Sequence, residues 1–88
     1  MPAISSFFGI TIRMQSEKGG KHHKPHIHAI CGDCEIVMAL DCETLEGFFP
    51  KKQLTLLKAW VSIHEDELME NWKLLESGKG YFKIEPLR

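Results

Sequence analysis

The chain has 88 residues, 43% hydrophobic and 26% charged, which fits one small domain (1–88) with a thin core that dimerisation would help, and speaks against disorder. A net charge of −1 excludes a protein that holds nucleic acid by bulk electrostatics, although a local basic patch stays open. There is no signal peptide and no apolar run of membrane-spanning length, and three cysteines are an odd number, so the expectation is a cytoplasmic chain with free thiols and no membrane partner.

Met1 to Ser5 reads as a short lead-in. Phe7 to Met14 alternates, with Phe8, Ile10, Ile12 and Met14 on one side, and predicts a half-buried strand. Gln15 to Lys24 is polar around Gly19-Gly20 and reads as a flexible loop. His26 to Cys31 and Cys34 to Leu40 flank Gly32-Asp33, which suits a two-residue hairpin loop because glycine tolerates the positive φ such turns need. Pairing Cys31 with Cys34 sets the register. Ala29 then faces Ile36 and Ile27 faces Met38 on an apolar side, while Ile30 faces Glu35, His28 faces Val37 and His26 faces Ala39 on the other. His26 and His28 therefore share the face opposite the core.

Asp41 to Gly47 is acidic and turn-like, with a short strand at Thr44-Leu45. Pro50 suits the first position of a helix. From Lys51 to Ser77 the apolar residues Leu54, Leu57, Val61, Leu68, Trp72 and Leu75 fall on one helical face. One helix and two both fit: the stripe runs on through His64, whereas Ser62-Ile63-His64-Glu65 matches a capping box that would start a second helix, with Glu65, Asp66 and Glu67 in its first turn. Gly78 and Gly80 end the helical region, and Tyr81 to Ile84 predicts a last short strand. The fold class is α+β: a small antiparallel sheet in β-β-β-α-β order with one long or broken helix packed on one face.

Four of the five histidines (His22, His23, His26, His28) lie within seven residues, and imidazole is the side chain that most readily ligates metal or moves a proton near neutral pH. Alternate strand residues stand about 6.5–7 Å apart, which lets His26 and His28 converge on one divalent ion such as zinc, with His22 as a third ligand. The plainer reading is a pair of solvated surface histidines. Arg13, Lys18, Lys21 and Lys24 form a local basic patch that could hold a phosphate, a nucleic-acid backbone or an acidic partner, or could simply be solvated. Cys31-Gly32-Asp33-Cys34 reads as two small hydrophobes beside a turn rather than a redox or zinc motif, because no second Cys-x-x-Cys follows and Cys42 is isolated. His64 reads as a partly buried, hydrogen-bonded residue, and Trp60 and Trp72 as core anchors, one of which could serve a partner.

Pro25-His26-Ile27-His28-Ala29, Gly32, Leu45-Glu46-Gly47, Phe49-Pro50, Trp60, His64, Glu67-Leu68 and Asn71-Trp72 together resemble a family of small bacterial proteins, Domain of Unknown Function 4160. The likeness runs from Phe8-Gly9 to Ile84-Glu85-Pro86-Leu87. The family often carries an Asp-His pair upstream of the proline; here His22 matches the histidine and Lys21 stands where the acid would be. The resemblance implies a cytoplasmic bacterial or phage-borne protein, often encoded beside another small protein in a toxin–antitoxin-like arrangement.

Two function classes follow. The first is an interaction component of such a two-gene module, binding a small protein partner or a second copy through the uncovered sheet face or the helix. The second is a metal- or histidine-dependent hydrolase or nuclease-like enzyme, with His26, His28 and His22 as ligands or as acid and base, and Lys21, Lys24 and Arg13 near a phosphate.

Overall fold

The computed structural model describes residues 3–15 and 24–88. The expected loop from Gln15 to Lys24 falls mostly on 16–23, outside those residues. Five strands come first, β1 (Ala3–Phe7), β2 (Ile10–Arg13), β3 (His26–Cys31), β4 (Cys34–Ala39) and β5 (Thr44–Gly47), followed by helices α1 (Lys51–Ile63) and α2 (Glu65–Glu76). The strands form one antiparallel sheet in sequence order. The α+β class holds, and the β-β-β-α-β order is corrected to five strands and then two helices.

Three differences from the sequence reading have local physical causes. The lead-in is strand β1, and the alternation from Phe7 to Met14 is interrupted by a hairpin turn at Phe8-Gly9. Both turn residues have positive φ (46° and 79°), as the type I′ hairpin turn requires. A phenylalanine there disguises the turn, since asparagine or glycine is its usual occupant. The C-terminal stretch is not a strand. Among the described residues its one main-chain bond to the sheet runs from Ile84 N–H to the Ile4 carbonyl (2.8 Å). Between the helices, His64 is a one-residue break (φ −108°) without a side-chain cap. Ser62 does not close the capping box; its Oγ lies 3.5 Å from Cys42 Sγ instead.

The central hairpin is as the sequence dictates. Every pair from His26↔Ala39 to Cys31↔Cys34 is in the expected register, and Gly32 takes the positive φ of 60°. Ile10, Ile12 and Met14 of the first hairpin join Ile27, Ala29, Ile36 and Met38 on the core face. Leu57, Trp60, Val61, Leu68 and Trp72 of the helices complete that core, so both tryptophans are structural. All three cysteines are free, and Cys31 and Cys34 pack against the core as small hydrophobes. Helix α2 ends in a Schellman motif: Gly78 has φ 74°, with Gly78 N–H bonded to Leu75 O and Lys79 N–H to Leu74 O. Among the described residues no helix is long and apolar enough to cross a membrane.

Candidate functional site

The site is built on β2 and β3. Successive strand side chains alternate between faces, and with Ile27 and Ala29 committed to the core the even positions turn to the other side. The rings of His26 and His28 accordingly meet, with centroids 5.3 Å apart in an edge-on arrangement. They are not two solvated rings. His26 is only 1% exposed, and the Trp72 indole of α2 lies 5.2 Å from it. Val37 and Ala39, opposite the two histidines on β4, are buried as well. The expectation of an uncovered sheet face therefore fails at His26, Val37 and Ala39, and α2 sets Trp72 in ring contact with His26.

Each histidine has a distinct anchor. His26 Nδ1 lies 2.6 Å from the Lys24 carbonyl, and since a carbonyl can only accept, that nitrogen carries the hydrogen. In the neutral ring the lone pair then belongs to Nε2, the tautomer a histidine uses to ligate or to accept. His28 keeps 14% of its side chain exposed, with its Nδ1 3.5 Å from Glu35 Oε2. Directly across from His28, on β2, stands Arg13. Two residues that the sequence does not assign to the site thus border it, Glu35 and Trp72. Glu35 was legible: it is the diagonal neighbour of His28 in the register already deduced. Trp72 was not, since nothing local aims α2 at β3.

The remaining candidates separate. His22, Lys21, His23 and Lys18 lie outside the described residues. Lys24 turns its ammonium away to Asp41 (2.7 Å) and Glu43 (3.6 Å). The Asp41 hydrogen bond raises the Lys24 pKa, and that same bond, followed by the Glu43 backbone N–H, lowers the Asp41 pKa. Lys24 is therefore spoken for, and among the described residues Arg13 is the cation the fold sets beside the histidines. His64 is partly buried as expected, bonded through Nδ1 to Glu67 Oε1 (2.6 Å) with its ring 5.4 Å from Trp60. Among the described residues no group of three His, Cys, Asp or Glu gathers that could hold a metal ion.

The family described as Domain of unknown function (DUF4160) matches residues 9–73. The chain belongs to this family. No curated protein and no solved structure matches it. The DUF4160 match takes in Arg13, His26, His28, Glu35 and Trp72 together, and so spans all the described residues of the site.

Proposed function

We propose that the chain is the interaction component of a two-protein bacterial module, docking on a small protein partner through one end of its sheet. The observation that carries this reading is Phe8. It sits in the left-handed conformation (φ 46°) that costs a non-glycine residue about 1–2 kcal/mol, and it is 59% exposed. Neither stability nor solubility favours a phenylalanine there, and such local strain is characteristic of surfaces kept for recognition. The register puts the Phe8-Gly9 turn, the Gly32-Asp33 turn and the exit of β5 at the same end of the sheet. Phe48, 67% exposed, projects from that exit. The two aromatics stand roughly 15–17 Å apart at ~4.8 Å per strand, a span that a small partner covers. Burial of His26 under Trp72 weighs against the hydrolase reading, which needs both rings to reach a substrate.

The test is co-expression with the protein encoded alongside. A stoichiometric complex is expected, weakened about tenfold or more by Phe8→Asn and by Phe48→Ser, while Phe8→Asn melts no lower than the parent because Asn-Gly is the preferred I′ turn. A complex indifferent to both substitutions overturns the reading. So does a stoichiometric metal in untagged protein that is lost in the His26→Ala/His28→Ala variant.

A further inference from the structure

We infer that Arg13 and His28 form a binding site for a small phosphate-type oxyanion on the outer face of the sheet. The inference starts from Arg13, whose Nε is buried with no hydrogen-bond partner among the described residues. A buried donor on a charged group is costly to leave without an acceptor, and the fold keeps it so. A guanidinium also presents its N–H groups as a fork that matches the oxygens of a tetrahedral anion.

The surroundings select the ligand. Arg13 is directly opposite His28 on β3, so their side chains start about 5 Å apart on one face. A permanent positive charge at that distance repels a metal cation and attracts an anion. Glu35 lies on the Nδ1 side of His28, its Oε2 3.5 Å away, while Glu46 ends the same cross-strand row, three strands from Arg13 and about 14 Å away. The anion therefore belongs at the Arg13 end. Access is from β1: the residue opposite Arg13 there is Ala3, exposed and bearing only a methyl group. Val37 and Ala39 are buried farther along the face, which favours a compact oxyanion over a polymer as the ligand.

Titration of the full chain with inorganic phosphate, followed by calorimetry and ³¹P NMR, tests this. Saturable 1:1 binding is expected, weakened about ten- to a hundredfold by Arg13→Gln and less by Arg13→Lys, which keeps the charge without the fork. Should Arg13→Gln fail to fold, Ala3→Glu serves in its place. It sets a carboxylate against Arg13 at an exposed position, and is expected to abolish phosphate binding without lowering the melting temperature. A nucleoside 5′-monophosphate binding more tightly than inorganic phosphate identifies a phosphomonoester ligand, and equal affinities identify free phosphate. Absence of binding, binding unchanged in Arg13→Gln or Ala3→Glu, or stoichiometric zinc binding that survives Arg13→Gln and disappears in His28→Asn overturns the inference.

Discussion

Two glycines with positive φ carry unequal loads. Gly32 (φ 60°) faces open space, so a side chain there meets only the backbone cost of the left-handed region. Gly47 (φ 83°) ends β5 against β4, and a Cβ on it would press into the Glu35 carbonyl oxygen and lie 3.1 Å from Ile36 Cα. Main chain cannot step aside as a flexible side chain can. Gly32→Ala is accordingly expected to lose about 1–2 kcal/mol, and Gly47→Ala about 2–5 kcal/mol once overpacking is added. Urea unfolding of both variants measures the difference, and equal losses would show that the close approach of β5 to β4 costs nothing. The same closeness matters to the site, because Glu35, which flanks His28, is held by this strand pair. Phe48 N–H continues the pairing with a 3.1 Å bond to the Glu35 carbonyl.

At the scale of the element, α2 works through Trp72, on its apolar stripe, and Asn71, the buried polar residue beside it. Trp72 closes over His26. Asn71, fully buried, takes the place of a missing strand: its Nδ2 donates to the Phe82 carbonyl (2.9 Å) and its Oδ1 accepts from the Phe82 N–H (3.0 Å). A side-chain amide thereby satisfies both main-chain groups of one residue in the C-terminal stretch, which explains why 81–84 stays beside the body without joining the sheet. Asn71→Ala leaves both groups without their partner and is expected to cost about 2–3 kcal/mol, whereas Asn71→Asp keeps the acceptor but sets a buried carboxylate against the Phe82 carbonyl and is expected to cost more at neutral pH. Guanidinium denaturation curves of the pair check this. An Asp variant no less stable than the Ala variant would mean that the Nδ2 bond to the Phe82 carbonyl contributes nothing.

For the molecule as a whole, the open question in any sheet is its two edges. β5 is short and carries Glu46, with Glu43 just before it, charges that discourage pairing with another chain. β1 is guarded by the C-terminal stretch, through the Ile84 bond to Ile4, and Trp60 Nε1 ties that stretch down at the Glu85 carbonyl (2.9 Å). Ile84, Phe82 and Leu87 also pack on the core. Removing residues 81–88 is therefore expected to lower the unfolding midpoint and to expose β1, producing association that rises with protein concentration. Light scattering and thermal melts of the truncated chain test it; a truncated chain that stays monomeric and equally stable would show that β1 needs no guard.

The sequence by itself determined the central hairpin, its register and the shared face of His26 and His28, because strand parity and a Gly-Asp turn are local and leave one consistent pairing. It also marked the helical stretch from Lys51 to Ser77, whose apolar period is local too, but left one helix and two both open. It could not reveal β1, since Phe8 fills a turn position where the usual residue would have announced it, and it did not distinguish a last strand from a stretch held by Asn71. What lies over a face is a long-range matter. Only the tertiary structure decided that Trp72 covers His26, that Lys24 is neutralised by Asp41, and that Arg13 stands against His28 with a buried nitrogen lacking a partner among the described residues. These depend on how α2 and β2 are set against β3, and no period or spacing in the chain records that.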